Sequence, residues 1–178
     1  MRGAGSLIRC ARSFFLPVIF CCFLGAGGVP AAAETLIVAI GASSTAGRGV
    51  STEDAYPAQL EGMLRAKGRD VRVINAGING DTSSGMLSRI DRDIPDGARV
   101  VILQTGANDA GDDGHDENIA KIIARLKARA IKIVPLRTSM MRGLRKDFSQ
   151  PDGHHLTPEG YKILASRLLP RVEQALSP

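Results

Sequence analysis

Thr35-Leu-Ile-Val-Ala-Ile-Gly41-Ala-Ser43-Ser-Thr-Ala-Gly47 is the stretch on which the reading of this chain turns. Leu36 to Ile40 is an Ile- and Val-rich apolar run that stops at a glycine, the pattern of a short buried strand. Gly41, Ala42, Ser43 and Ser44 then place four small residues where the strand must give way to a turn. An open α/β sheet gathers its reacting groups outside the carboxyl ends of its strands. A hydroxyl at this point can stand clear of the backbone with free N–H groups beside it.

Downstream of that turn the pattern alternates. A helix is predicted at about Tyr56–Lys67, with Pro57 in its first turn and Gly68 just past its end. Val71–Ile74 reads as the second strand, followed by the turn Asn75-Ala-Gly-Ile-Asn-Gly80-Asp81. The next helix, roughly Ser83–Ile94, is capped by Asp81 or Thr82 and stopped by Pro95-Asp-Gly97. Val100–Gln104 is nearly all apolar, as a strand buried on both faces should be, and it runs into Gly106-Ala-Asn108-Asp109. A helix at about Asn118–Ala130, a strand at Ile131–Leu136 and a last helix at about Pro158–Ala175 follow. Arg137–Pro151 has no clear period and reads as loop or short helical turns. Alternation with short links predicts a three-layer α/β/α sandwich around a parallel sheet, in one domain spanning 34–178.

The first 33 residues are of another kind. Arg2, Arg9 and Arg12 make a positive start, Ser13 to Gly25 is mostly apolar, and Pro30-Ala31-Ala32-Ala33 offers a small-residue cleavage pattern. The reading is a secretory signal peptide removed after Ala33, hence an exported protein, periplasmic or secreted. The alternative is an uncleaved anchor, for which the apolar run falls short of a full span. Cys10, Cys21 and Cys22 all leave with that segment, so the mature chain relies on its core rather than on disulfides. The 23 basic residues fall to 20 while all 18 acids stay, so the charge drops from +5 to about +2. With aromatics at 4% and no basic cluster interleaved with them, nucleic acid is not an expected partner.

Four loops carry unusual polar groups: Ser43, Gly80-Asp81, Gly106-Ala-Asn108-Asp109 and Asp152-Gly-His-His155. A parallel sheet brings the first three to one edge, and the fourth, just before the last helix, can reach it. Phosphate-binding glycine patterns and the Gly-x-Ser-x-Gly elbow do not fit, because Thr45 stands where the elbow needs its second glycine.

This combination resembles the SGNH (GDSL) hydrolase family. Gly41-Ala-Ser43 looks like its first block, Asn75-Ala-Gly-Ile-Asn-Gly80-Asp-Thr82 its second, Gly106-Ala-Asn108-Asp109 its third and Asp152-Gly-His-His155 its fifth, all in the family's order. The second block is most similar to the bacterial periplasmic esterase, thioesterase and lysophospholipase I subgroup. The resemblance implies a flavodoxin-like SGNH fold and a serine hydrolase for carboxylic esters or thioesters, acting through an acyl-enzyme. Ser43 is the implied nucleophile, His155 the base and Asp152 its orienting acid, with Ser43 N–H, Gly80 N–H and the Asn108 amide as the oxyanion hole. It implies no metal or organic cofactor, and as partner a small-molecule, lipid or sugar ester, with no membrane span left after signal cleavage. The residue types suit that chemistry. A serine hydroxyl needs a neighbouring base, an imidazole can take and return a proton near neutrality, and a tetrahedral oxyanion needs donors aimed where its charge develops.

Other readings of the same residues stand beside these. Ser43 could be a plain turn residue and Ser44 the reactive hydroxyl; Asn108 could only cap its loop; Asp109 more naturally holds that loop, and Asp81 caps a helix. A metal at Asp152, His154 and His155 lacks further ligands of suitable spacing, and the acidic run 112–117 fits no calcium loop. The whole could also be a degenerate binding module, or an O-acetyl esterase acting on sugars. Two features depart from the family pattern. Ala42 stands where aspartate is usual, and only residues 110–151 separate Asp109 from Asp152, where the subgroup fits a further helix and strand. About four strands and a shallower cleft are therefore expected. Arg137, Arg142, Arg145 and Lys146 either line its mouth and attract an anionic group or form a basic surface loop.

Overall fold

The structure is a computed structural model, and it describes residues 34–105, 108–109 and 113–177. The proposed signal peptide lies outside the described residues. Four strands, β1 (Thr35–Gly41), β2 (Val71–Gly77), β3 (Ala98–Thr105) and β4 (Lys132–Arg137), form a wholly parallel sheet in the order β2-β1-β3-β4. Six helices accompany them: α1 (Ser43–Ala46), α2 (Tyr56–Ala66), α3 (Ser83–Asp93), α4 (His115–Ala128), α5 (Thr138–Phe148) and α6 (Pro158–Leu176).

β1 shows how the layers arise. Successive side chains on a strand point to opposite faces. Ile37 and Ala39 join one buried cluster with Tyr56 and Leu60 of α2, Leu144 of α5 and Leu164 of α6. Val38 and Ile40 join the other with Met86 and Ile90 of α3 and Ile122 and Leu126 of α4. The sheet is thus sandwiched between α2, α5 and α6 on one face and α3 and α4 on the other. Connections leave β1 toward β2 on one side, and β3 pairs on its other side, so the order reverses at β1. At that reversal the loops after neighbouring strands part and leave a crevice.

One expectation is corrected. The segment after β4, expected as loop or short helical turns, is one continuous eleven-residue helix, α5. Its reason is a stripe at helical spacing, Met141, Leu144 and Phe148, that packs on the same core as α2 and α6. The dense charges between those residues, and Gly143, hide the period in the sequence. α4 also begins earlier than expected, at His115, with Asp116 and Glu117 in its first turn, where acids suit the helix dipole. α6 runs through Pro170 to Leu176, started by Thr157, whose hydroxyl accepts from Gly160 N–H at 3.3 Å.

Candidate active site

β1 delivers its chain to the crevice and stops at Gly41. Ala42 has non-helical backbone, and its carbonyl accepts from Thr45 and Ala46 N–H, winding a single turn that begins at Ser43. The turn closes on Gly47, whose φ of 77 favours glycine. Ala42 is fully buried. The bracing group comes instead from β3. The Gln104 side-chain oxygen accepts from Ala42 N–H at 3.2 Å and from the Thr45 hydroxyl at 2.7 Å. Gln104 is buried, and a lone amide at the end of an apolar strand is the signal that could have marked it.

A second brace was not anticipated. Arg89 of α3 is 5% exposed and reaches under the turn. It donates to the Gly41 carbonyl at 3.2 Å, the Ala76 carbonyl at 2.8 Å, Asp81 Oδ2 at 2.6 and 2.9 Å, and Asp93 Oδ2 at 2.6 Å. One guanidinium therefore ties the end of β1, the end of β2 and the turn bearing Gly80. Its inward place beside Met86 and Ile90, with acids at 81 and 93, was the available clue.

Gly80 follows β2 in a turn closed by Asp81 N–H to the Ile78 carbonyl at 3.1 Å, and has a φ of 80. The α3 cap is Thr82, whose hydroxyl accepts from Gly85 N–H at 3.1 Å, while Asp81 pairs with Arg89. The Asn108 side-chain amide donates to the Asp81 carbonyl at 2.7 Å, tying the loop after β3 to the Gly80 turn. An amide nitrogen carries two hydrogens, so one donor of Asn108 remains for another acceptor. Asp109 holds the same loop, accepting from Ser83 N–H at 2.8 Å and Ser83 Oγ at 2.7 Å, and lies 3.1 Å from His115. Partial burial pushes its carboxyl upward, but the Ser83 bonds and His115 outweigh this and leave it below the usual range.

The fourth loop arrives between α5 and α6. Ser149 and Leu156 pair as an isolated antiparallel bridge, and Gly153, at φ 70, lets the chain turn back within it. Inside that loop Asp152 Oδ1 accepts from the backbone N–H of His154 at 2.8 Å and of His155 at 3.0 Å, and Oδ2 meets His155 Nδ1 at 2.6 Å. The backbone N–H of His155 first, then its ring and the N–H of His154, hold the Asp152 carboxyl well below the usual carboxylate range. The other ring nitrogen, Nε2, lies 2.8 Å from Ser43 Oγ. Gln150 fixes the loop to the first turn: its amide donates to the Arg48 carbonyl at 2.9 Å and the Leu156 carbonyl at 2.7 Å.

Ser43, His155 and Asp152 thus form an unbroken hydrogen-bonded line. Gly80 and Asn108 lie with Ser43 on the walls of a cleft of about 340 Å³, the far wall of which is α5. His154 does not join the line but reaches the cleft with an exposed side chain. Ser44 lines the cleft too, yet the bond to His155 belongs to Ser43. Among the described residues no three His, Cys, Asp or Glu side chains are arranged to hold a metal.

Residues 39–151, well over half of the chain, match the model of the GDSL-like lipase/acylhydrolase family. The chain belongs to that family. Relatives of the GDSL-like chain include the esterase TesA of Pseudomonas aeruginosa, 33% identical over 111 residues, which are 60% of this chain and 55% of that protein. An arylesterase of Vibrio mimicus is 32% identical over 141 residues, 74% of this chain and 66% of that protein. The chain thus spans between about half and two thirds of these relatives' length. Among solved structures, AlinE4, an SGNH-hydrolase family esterase, is 27% identical with a TM-score of 0.60 over 83% of this chain and all of its own. A TesA crystal structure has a TM-score of 0.72 at 22% identity over 80% of this chain and all of its own, a likeness of fold.

Proposed function

We propose that this GDSL-like chain is a serine hydrolase that cleaves carboxylic esters through an acyl-enzyme. The observation that carries the reading is the line Ser43 Oγ–His155 Nε2–His155 Nδ1–Asp152 Oδ2, with bonds of 2.8 and 2.6 Å. Ser43 attacks the carbonyl carbon as His155 takes its proton. Asp152, held ionised, keeps the ring in the tautomer with Nδ1–H and balances the imidazolium that forms. The N–H groups of Ser43 and Gly80 and the spare Asn108 donor hold the oxyanion. His155 returns the proton to the leaving alcohol, and a water then repeats the sequence on the acyl-serine.

The cleft supports a short acyl group. Among the described residues Met141 is its one large apolar lining residue, and the rest of that lining is mostly polar, which suits acetyl or butyryl better than a long chain. Thioesters and lysophospholipids, and O-acetylated sugars, belong to the same chemistry with other leaving groups; a series of acyl lengths on one aryl alcohol separates them. Export to periplasm or medium is part of the proposal and is supported by the Arg2-to-Ala33 pattern. The decisive experiment is labelling with a fluorophosphonate probe. One adduct at Ser43, lost in Ser43→Ala, is expected. A folded protein that resists the probe, or a Ser43→Ala variant that still takes it, ends the hydrolase reading.

A further inference from the structure

α5 turns one face to the cleft: Thr138, Met141 and Arg145, spaced three and four residues apart, all line it. Arg48, just past the first turn, lines it from the opposite strand end. Two cations therefore stand on a 340 Å³ cleft whose lining, among the described residues, includes no acid. Of the four basic residues singled out after β4, Arg145 is the one on this wall.

The Arg145 guanidinium is not spent inside the protein. Its Nε is buried with no hydrogen-bond partner among the described residues. Tyr161 lies near enough to feel its charge but is a neutral phenol, since burial pushes it up to about 12. Asp152, in the next loop, uses both oxygens on His154 and His155. Asp147 is two residues along α5 and so projects from another side of the helix. Arg48 is anchored through its backbone carbonyl by Gln150, which leaves its side chain exposed. A half-buried cation without a counter-charge is unfavourable until an anion or water meets it, and a guanidinium matches carboxylate and phosphate geometry.

Resting on the hydrolase reading of Ser43, we infer that the preferred substrates are short esters bearing an anionic group, a carboxylate or phosphate, held by Arg145 and Arg48 beside the scissile bond. The charge belongs to either the acyl or the leaving half, and matched substrates distinguish the two. For the leaving half the pair is 4-acetoxybenzoate against 4-acetoxybenzamide. For the acyl half it is mono(4-nitrophenyl) glutarate against 4-nitrophenyl hexanoate, each corrected for spontaneous hydrolysis.

One of the anionic members should exceed its neutral partner about 10- to 100-fold in kcat/KM, the range of a charge-assisted hydrogen bond. The preference should fall in Arg145→Gln and Arg48→Gln and shrink as salt is raised. Binding to Ser43→Ala gives a readout free of turnover: the carboxylate member of the pair should bind at least tenfold more tightly than the amide or alkyl member. If Ser43 takes the fluorophosphonate probe and neutral esters are hydrolysed at least as well as anionic ones, the charge inference falls and the hydrolase reading stands. If Ser43→Ala binds neither anion more tightly than its neutral partner, the inference falls whatever the activity.

Discussion

Replacing Arg89 by methionine tests whether the first and second turns are held by one buried cation. The substitution keeps most of the aliphatic stem and removes every donor. It takes the cation from Asp81, whose side chain is 9% exposed and keeps Thr82 N–H at 3.1 Å, and one donor each from the carbonyls of Ala76 and of Gly41, which keeps Ile78 N–H at 3.0 Å; Asp93 keeps Arg92 at 2.7 Å. Removing one partner of a buried ion pair costs about 3–5 kcal/mol. Because Asp93 retains a partner, the lower end, about 3 kcal/mol, is expected. For a domain of this size each kcal/mol moves Tm by about 2–4 °C, so the variant should melt roughly 6–12 °C lower. Urea unfolding gives the free energy, and ester hydrolysis at a temperature where the variant is folded gives the effect on the site. With Gly41 and the Gly80 turn both released, kcat should fall more than KM rises. Asp81→Asn in the Arg89→Met background should restore part of the loss, because it removes the stranded charge. A variant that melts within about 2 °C of the parent, or a double variant whose losses simply add, would refute the brace.

Further outcomes follow from neighbouring contacts. Gln104→Leu leaves the Ala42 N–H without an acceptor and the Thr45 hydroxyl with the Tyr56 hydroxyl at 3.4 Å, so it should cost about 1–3 kcal/mol in urea unfolding and lower kcat. Gly77→Ala drives a methyl into backbone atoms of Thr45 and Ala46, which cannot rotate away; about 1–3 kcal/mol and a displaced Ser43 are expected, read by melting and by slower probe labelling. Asp152 has a folded-state carboxyl depressed below its unfolded value, so its ionisation stabilises the protein fully above about pH 5 and loses that effect as pH falls through the folded value. The stability gap between the parent and Asp152→Asn should narrow as pH falls below about 4; a gap that widens there contradicts the assignment.

Strand and helix order and the sheet edge were legible because each rests on a local signal, and Ser43, Gly80, Asn108, Asp152 and His155, named from the family resemblance, meet at that edge as a candidate site. A continuous apolar run marks β3, a proline and threonine mark the start of α6, and a two-residue spacer in Asp152-Gly-His-His155 matches one turn of chain. What escaped is what depends on partners distant in sequence. Gln104 looks like one polar residue closing a strand until β1 lies beside β3 and its oxygen faces Ala42. Arg89 stands beside Met86 and Ile90 on α3, but its partners come together only when β2 and the Gly80 turn fold over it. α5 was missed for a local reason: its buried stripe is three residues wide, and charge fills the gaps between them. With alanine at position 42 the turn is braced by Gln104, a contact visible only once the two strands are paired.

Ser43 and His155 meet across 112 positions of sequence. Everything needed for the nucleophile and its surrounding donors is present once β3 and its loop have been made, but the proton acceptor arrives with the final segment. A chain still emerging from the ribosome therefore carries Ser43 without the imidazole that meets it. Under the proposed hydrolase reading, competence would switch on only when α6 has docked, turnover would report that the segment bearing His155 is in place, and nonsense truncations before residue 155 should be silent rather than promiscuous.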